Sequence, residues 1–424
     1  MTKIPRLVMI FFVLLLGLVC LSPAIMAKQQ ILLEWTTWHV NEPAEVLMMT
    51  DFINGFKKLN PNVDIKLTGN PWSEYFDKLQ VRMAGGSYPD IFACSQDNFT
   101  RYYGLGFTEP LNRYISMSKY KGKFIDVAEL VTIKNKTHGI VYLTLPFTLI
   151  YNKSILDAHG LKPPTTPEEL IEVGKKLTVA GEQYGYAGSV DPSVPADFYT
   201  EILVWTIGYN GKLARKGMPT INEQQNVDAI TMLKKVYDSG IMPLGVDRQL
   251  YRKMEVAGKI AMLIDGAYYF DWLLEDSEDT FKQFDSAPIF FPNKSVRTYT
   301  VYQCVSKGGK YKDIAAKFLN YMLQPENQEQ FVPRVKQVPA IKDSISSAWL
   351  KANPWYHGYQ EIKPASVVPE GIESYTEDMK KLIARYVGDV FISNKPVKKA
   401  LDECQSAMIE LLKSRGYKFP TAVK

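Results

Sequence analysis

Cysteine and histidine are scarce in this sequence, with four of each among 424 residues. The cysteines beyond the N-terminal segment, Cys94, Cys304 and Cys404, are scattered, which excludes a disulfide framework and a cysteine-based metal motif. One disulfide among them stays open, although buried thiols that pack as small apolar side chains are favoured. No histidine has a partner at metal-ligand spacing, so we expect no metal site.

Motifs for cofactor chemistry are also absent. The chain has no Walker loop, no complete dinucleotide fingerprint, no G-x-S-x-G and no H-E-x-x-H, so we expect no cofactor. An excess of charge is missing as well. Fifty basic and 45 acidic side chains give a net charge of +5, which is too small and too dispersed to indicate nucleic-acid binding.

Only one apolar run approaches membrane-spanning length, and it lies at the N-terminus. Lys3 and Arg6 precede an apolar stretch over 7–21, and small residues ending at Ala27 follow. This order predicts a secretory signal peptide over 1–27 and an exported protein, in the periplasm or on the outer face of the cytoplasmic membrane. A retained membrane anchor and lipid attachment at Cys20 are the alternatives.

Aromatic residues are plentiful, with 25 tyrosines, 20 phenylalanines and seven tryptophans. Several of them follow predicted strands. The first 70 residues after the signal segment alternate strand, helix, strand, helix and strand, with a helix predicted over 45–59 and another starting at an N-cap Ser73. This is the pattern of a doubly wound α/β lobe, in which ligands bind beyond the carboxyl ends of the strands. The residues placed there are Thr37, Trp38, Trp72, Ser95, Gln96 and Asp97.

The second half of the chain repeats this α/β character. Thr166 and Pro167 predict the start of a helix, and an apolar strand over 261–265 runs into Gly266 and a group of aromatic residues. The length predicts two or three domains. Since no flexible linker separates them, we expect strands that cross from one lobe to the other.

The order and spacing of short motifs resemble the extracellular solute-binding proteins of bacterial ABC importers, in particular the carbohydrate-binding group that includes maltose-binding protein. The resemblance covers about 31–412, nearly the whole mature chain. The motifs that carry it are Trp35-Thr-Thr-Trp38, Asn60-Pro-Asn-Val63, Tyr75-Phe-Asp-Lys-Leu79, Ala84-Gly-Gly-Ser-Tyr-Pro-Asp90, Gly106-Phe-Thr-Glu-Pro-Leu111, Ile150-Tyr-Asn-Lys-Ser154, Gly258-Lys-Ile-Ala-Met262-Leu-Ile-Asp-Gly266 and Ala315-Ala-Lys-Phe-Leu319.

The resemblance implies the two-lobed periplasmic-binding-protein fold of type II, in which each lobe is a doubly wound sheet flanked by helices. It places the first lobe at 28–147 plus 303–325 and the second at 148–302 plus 326–424. Crossing segments are expected at 146–151, at 302–304 and at about 324–329. It also implies a monomer that delivers its solute to the membrane subunits of an ABC permease with a cytoplasmic ATPase.

A sugar site needs flat aromatic platforms for the apolar faces and carboxylates or amides for the hydroxyl rims. By resemblance, Asp97 falls where family members hydrogen-bond hydroxyls, and Tyr268 where they commonly place a stacking tryptophan. The predicted binding residues are Thr37, Trp38, His39, Trp72, Ser95, Gln96, Asp97, Trp205, Asp265, Gly266, Tyr268, Tyr269, Gln303 and Trp355.

Two other functions remain open at the level of sequence. One is a receptor for another solute, such as glycerol-phosphate or a polyamine. The other is a secreted glycoside-active enzyme, for which Asp97 and Asp265 would have to face one cleft. The pair Asp271 and Glu275 is interpreted as solvated charge on a helix surface.

Overall fold

The computed structural model describes residues 29–120, 123, 131–329, 334–339, 341, 344–360, 362–366 and 368–420. The predicted signal peptide and Cys20 lie outside these residues. Among the described residues, no helix combines the length and the apolar character needed to cross a membrane.

Thirteen strands form the sheets of the described residues. They are β1 Ile31–Thr36, β2 Val63–Thr68, β3 Ile91–Ser95, β4 Thr132–Ile133, β5 Lys136–Thr137, β6 Ile140–Asn152, β7 Ala214–Arg215, β8 Met218–Pro219, β9 Met262–Gly266, β10 Phe284–Ala287, β11 Ser295–Val305, β12 Val338–Pro339 and β13 Lys363–Ser366. The strands predicted from 31, 63, 89 and 261 correspond to β1, β2, β3 and β9.

The helices alternate with these strands along much of the chain. They are Pro43–Leu59, Trp72–Ala84, Gln96–Gly104, Lys153–Ala158, Pro167–Leu177, Pro195–Gly208, Gln224–Asp238, Arg248–Val256, Tyr269–Asp276, Glu278–Lys282, Lys312–Met322, Pro325–Gln328, Ser347–Ala352, Thr376–Ile392 and Val397–Ser414. Short 3-10 helices span Trp38–Asn41, Met117–Tyr120, Pro354–Tyr359 and Glu373–Tyr375.

The first lobe is built on a mixed sheet in the order β2, β1, β3, β11 and β6. β1 lies parallel to both β2 and β3, as the strand-helix-strand pattern predicts, whereas β11 is antiparallel to β3 and to β6. Every residue of β3 is buried, as is typical of a strand in the interior of a sheet that is covered on both faces.

The second lobe uses the far half of β6 as its centre. β9 and β10 pair with it on opposite sides, both antiparallel. The helix Pro195–Gly208 is buried along most of its length and packs against the helices at 224–238 and 376–392. Its surroundings form the largest apolar core of this lobe.

Two long strands connect the lobes. β6 pairs with β11 up to Pro146 and with β9 from Phe147 onward, so it changes partners between these two residues. The second crossing lies earlier in β11 than predicted. The residues 302–304 pair with β3 inside the first lobe, and the crossing falls near 295–300, where β11 also pairs with β13.

The return to the second lobe also comes later than predicted. The helix Pro325–Gln328 follows directly on the first lobe's helix Lys312–Met322, and Gln328 bonds to a carbonyl of that helix. Val335 and Ile341 still pack into the first lobe's core, whereas Ile345 packs into the second lobe. Val338, between Val335 and Ile341, also packs against the second lobe, so the described residues from 335 to 345 lie along both lobes instead of entering the second lobe at 325.

Candidate functional site

A cavity of about 240 Å³ lies between the lobes. The first lobe contributes the turn that ends the 3-10 helix Trp38–Asn41 and begins the helix Pro43–Leu59. The second lobe contributes the first two turns of the helix Tyr269–Asp276. The lining residues are Asn41, Glu42, Pro43, Ala44, Glu45, Tyr268, Asp271, Trp272 and Glu275.

Helix geometry explains the second lobe's wall. β9 ends at Gly266, and the chain turns directly into a helix whose cap position is Tyr268. Residues three and four positions apart lie on one helix face, so Tyr268, Asp271, Trp272 and Glu275 point to the same side. A Cβ at Gly266 would lie 2.5 Å from the Tyr268 ring, so this turn needs glycine.

Tyr268 is held rigidly at the cavity. Its hydroxyl donates to Asp265 Oδ1 at 2.6 Å and accepts from Arg252 Nη2 at 2.6 Å. The Arg252 guanidinium also lies 5.3 Å from the centre of the ring. Burial raises the pKa of Tyr268 to about 12, so the hydroxyl stays a donor at neutral pH. The partly exposed ring is therefore a fixed aromatic surface.

Asp265 has a different place from the one predicted. It was expected to contact solute hydroxyls, but it is fully buried. Oδ2 accepts from Arg252 Nε at 2.7 Å, and Arg248 lies 3.6 Å away. Burial alone would raise the pKa of Asp265, but the two guanidinium charges outweigh it and hold the pKa below its usual value. Asp265 positions Tyr268 and has no surface for a ligand.

Carboxyl groups from both lobes face the cavity. Burial and the neighbouring Glu45 carboxyl raise the pKa of Asp271 to about 8. Burial likewise raises the pKa of Glu42 and of Glu45. The interpretation of Asp271 as solvated surface charge is therefore wrong, whereas Glu275 is exposed as expected.

The segment 334–339 connects these two groups of carboxyls. The backbone N–H of Lys336 donates to Asp271 Oδ1 at 3.3 Å. Next to it, the buried Gln337 donates from Nε2 to Glu45 Oε1 at 2.5 Å. The segment thus touches the second lobe's wall with one residue and the first lobe's wall with the next.

The loop 37–39, which was predicted to bind the solute, is buried next to the cavity residues that follow it in the chain. Thr37, Trp38 and His39 are all buried. Thr37 Oγ1 accepts the backbone N–H of His39 and lies 2.8 Å from its Nδ1, which fixes the start of the 3-10 helix. Burial lowers the pKa of His39 to about 3, so the imidazole is neutral. The expected stacking surface of Trp38 is instead packed against Tyr75.

At the end of β3, some of the predicted binding side chains already form hydrogen bonds within the protein. Ser95 and Gln96 are buried, and Gln96 donates from Nε2 to the carbonyl of Thr298 on the crossing strand β11 at 3.1 Å. The backbone of Asp97 lies in the first turn of the helix Gln96–Gly104, and its side chain is outside the described part of the structure. Gln303 is buried and accepts from the Trp35 indole at 2.8 Å, so it belongs to the first lobe's core.

Three of the predicted platforms are core residues. Trp205 has no exposed surface, and its indole donates to Glu201 at 3.0 Å. Tyr269 and Trp355 are also buried, with Trp355 packed 4.5 Å from the Phe270 ring. Their rings have no free face for a sugar in this structure.

Trp72 differs from these rings because 56% of its surface is exposed. It begins the helix Trp72–Ala84, whose cap position is Pro71 and not Ser73 as predicted. Its ring contacts Phe76, which in turn packs against Trp38. Trp72 and Tyr268 are thus the predicted platforms that keep accessible surface.

Sequence reasoning missed Glu42, Glu45 and Trp272, which line the cavity. It also missed Arg252 and Gln337, which bond to the lining residues Tyr268 and Glu45. A signal was available for Trp272, because it lies four residues after Tyr268 at the start of a helix. Gln337 and Arg252 gave no such signal, since only the fold brings them to the cavity. The three described cysteines are buried thiols, as favoured. Among the described residues, no group of His, Cys, Asp or Glu is arranged to hold a metal ion.

Two α/β lobes, joined by crossing strands and with a cavity between them, are the architecture that the resemblance to solute receptors implies. Residues 42–329, more than half of the chain, match the profile described as bacterial extracellular solute-binding protein. The chain belongs to this family.

Individual relatives are distant. The maltotriose-binding protein of Pyrococcus abyssi is 22% identical over 349 residues, which are 78% of this chain and 72% of that protein. The cyclic alpha-maltosyl-1,6-maltose binding protein of Arthrobacter globiformis superposes with a TM-score of 0.79 at 18% identity, covering 91% of this chain and 100% of the other. The sugar-binding protein MalE of Xanthomonas citri superposes with a TM-score of 0.78 at 17% identity, covering 91% and 98%. These structures share the fold of this chain.

Proposed function

We propose that this protein is the extracytoplasmic receptor of an ABC import system, and that it closes its lobes on an oligosaccharide and delivers it to the membrane permease. The observation that carries the proposal is the cavity between the lobes, where the fixed Tyr268 ring lies beside carboxyl groups. Aromatic faces and hydrogen-bonding rims are what a sugar requires. The relatives named above bind maltotriose and a cyclic maltosyl sugar, which supports the same solute class.

Closure of the lobes follows from their contacts. Besides the cavity walls, the helix Gln96–Gly104 of the first lobe contacts the 3-10 helix Glu373–Tyr375 of the second. A solute that touches both lobes stabilises the closed arrangement by its differential affinity for it. The closed form is then the one that the permease recognises, at the outer face of the cytoplasmic membrane.

The cavity chemistry disfavours one of the alternatives. Carboxyl groups line both walls, and the described lining residues include neither lysine nor arginine. An anionic solute such as glycerol-phosphate would find no cationic side chain to pair with among these described residues. We accordingly propose a neutral or cationic solute.

A thermal-shift screen tests the proposal. The mature protein is heated with mono-, di- and oligosaccharides, amino acids, polyamines and phosphodiesters in separate wells. An oligosaccharide present at about 100 times its dissociation constant stabilises the folded state by about 2.7 kcal/mol. A hit only among amino acids, polyamines or phosphodiesters would contradict the proposal.

The enzyme alternative is tested with the same sugars. Each oligosaccharide that raises the melting temperature is incubated with the protein, and the products are separated by chromatography. We expect every sugar to be recovered unchanged. Hydrolysis that disappears in a variant of a cavity carboxyl group would assign a glycosidase instead of a receptor.

A further inference from the structure

A second cavity lies beside the cavity between the lobes, and we call it the outer cavity. It measures about 310 Å³ and lies in the second lobe, between the helix Arg248–Val256 and the helix Tyr269–Asp276. The lining residues are Lys253, Val256, Trp272, Glu275 and Asp276. Trp272 and Glu275 also line the cavity between the lobes, so the two cavities share a wall.

The shared wall does not close the cavities off from each other. Glu275 is exposed and Trp272 is partly exposed, so both residues reach the surface of the protein. A chain of sugar units can therefore pass over them from one cavity into the other without displacing a buried side chain.

The volumes favour a solute that occupies both cavities. Sites for small molecules usually measure about 300–1,000 Å³. The cavity between the lobes, at about 240 Å³, is smaller than this range, whereas the two cavities together lie within it. The outer cavity therefore supplies the room that a longer sugar needs.

Trp272 gives the outer cavity an aromatic surface. Its ring centre lies 5.4 Å from that of the buried Tyr269, so one side of the indole rests on the protein. The helix places Trp272 one turn beyond Tyr268, at a rise of about 6 Å along the axis, which is of the order of one sugar unit. This spacing suits consecutive units of one sugar chain.

Lys253 and Glu275 supply hydrogen-bonding groups. Both side chains are exposed, and neither forms a hydrogen bond or an ion pair with another residue in the described part of the chain. The ammonium group donates and the carboxyl oxygens accept. A sugar hydroxyl both donates and accepts, so it can bond to either group, whereas a phosphate would be left beside a carboxyl group with no hydrogen to give it.

We propose that the outer cavity is a second subsite for the solute, in which Trp272 stacks on one sugar unit while a neighbouring unit lies against Tyr268 between the lobes. The preferred solutes are then neutral oligosaccharides longer than a disaccharide. The inference rests on the proposed function, because it extends the same solute from one cavity into the next.

Sugars of increasing length test the subsite. Calorimetric titration compares maltose with maltotetraose, and cellobiose with cellotetraose, because the members of each pair have the same units and the same linkage. In the series that binds, we expect the tetrasaccharide to bind at least 10-fold more tightly than the disaccharide. Stacking on the indole and hydrogen bonds to two free side chains account for a gain of this size.

Variants assign the gain to the outer cavity. In Trp272→Ala the ratio of the two affinities should fall below threefold, because the aromatic surface is lost, and in Lys253→Ala it should decrease at least threefold. Trp349→Ala is the matched control, since Trp349 is a partly exposed tryptophan of the second lobe that lines neither cavity, and its ratio should stay at 10-fold or more. Each ratio is taken within one variant, so a loss of folded protein lowers the number of binding sites and leaves the ratio unchanged.

The outcomes separate this inference from the proposed function. Equal affinity of the disaccharide and the tetrasaccharide overturns the second subsite and leaves the sugar receptor standing. A 10-fold gain that persists in Trp272→Ala does the same, because another surface then holds the longer sugar. If no sugar of either series binds, the subsite is refuted, and the proposed function falls with it only when the thermal-shift screen also finds no oligosaccharide.

Discussion

Buried charges behind Tyr268 decide how firmly the binding surface is held. Arg248 and Arg252 lie on one helix, and both neutralise Asp265, which is fully buried. Arg248 also lies 3.8 Å from Glu201, another buried carboxyl group. A network of this kind restricts the tyrosine to one position, but each member depends on its partners because an unpaired buried charge is strongly destabilising.

Asp265→Asn should lower the free energy of unfolding by about 3–5 kcal/mol, because it leaves the buried Arg252 guanidinium without its carboxylate and removes one of the carboxylates beside Arg248. Urea denaturation measures the change. Asp64→Asn is the matched control, since Asp64 forms an exposed pair with Lys57, and it should lose about 1 kcal/mol or less. Equal small effects of both substitutions would show that the buried network is not a structural requirement.

His39 makes the stability of the protein depend on pH. Its folded-state pKa of about 3 is below the value near 6.5 of an unfolded chain, so the unfolded state takes up the proton first. The contribution of the neutral imidazole is therefore complete above about pH 6.5 and is lost as the pH falls toward 3. Between pH 7 and 5 the loss amounts to about 2 kcal/mol.

Denaturation curves at several pH values check this dependence. In His39→Asn the decrease between pH 7 and 5 should be smaller by that amount, whatever the substitution does to stability at pH 7. His159→Asn removes an exposed histidine and should leave the slope as it is in the unmodified protein. The same slope in His39→Asn as in the unmodified protein would mean that the imidazole is not buried as described.

At the scale of elements, capping chemistry determines where the helices begin. The helix Pro167–Leu177 starts with Thr166 accepting the backbone N–H of Glu169 at 3.1 Å, with proline at the first helical position. The Glu169 carboxylate accepts from the backbone N–H of Thr165 at 2.7 Å, one residue before the cap. Such local bonds need no tertiary partner.

Thr166→Ala should reduce the free energy of unfolding by about 1 kcal/mol, because the cap bond is lost. Thr50→Ala is a suitable comparison, since the Thr50 hydroxyl donates to the Val46 carbonyl within a helix and alanine is the better helix former. Urea titration should show that this variant is as stable as the unmodified protein or more so. A loss of equal size in both variants would contradict the importance of the cap.

The difference between local and long-range interactions explains which features the sequence predicted. Short apolar runs located β1 and β9, alternation located β2, and period-3.6 spacing located the helix Pro43–Leu59, because these signals are local. The buried places of Trp205, Trp355 and Gln303 were not predictable, since the residues around an aromatic or amide side chain do not show whether a distant element covers it. The position of 335–345 along both lobes depends on long-range packing of Val335, Val338 and Ile341, which no local pattern carries.

The whole molecule is organised for closure. β6 and β11 run through both lobes, so the lobes can change their relative angle only by bending these strands and the return segment. The segment 334–339 touches Asp271 on one side and Glu45 on the other, and thus follows both walls of the cavity. A solute in the cavity should therefore draw the lobes together.

Small-angle X-ray scattering should record this closure as a smaller radius of gyration when a saturating oligosaccharide is added. The Tyr268→Ala variant at the same sugar concentration should keep the larger radius, because the ring that holds the sugar is gone. No change in the unmodified protein, at a sugar concentration that thermal shift shows to be saturating, would rule out closure by the solute.

The most direct test of the account is a calorimetric titration of the best oligosaccharide from the thermal screen into the unmodified protein and into Tyr268→Ala. We predict one site per chain in the unmodified protein and an affinity at least 10-fold lower in the variant, equivalent to about 1.4 kcal/mol. Trp205→Phe, a change in the core away from the cavity, should bind with nearly unchanged affinity even if it melts earlier. The same affinity in Tyr268→Ala as in the unmodified protein, or no heat from any oligosaccharide, would contradict the sugar site between the lobes.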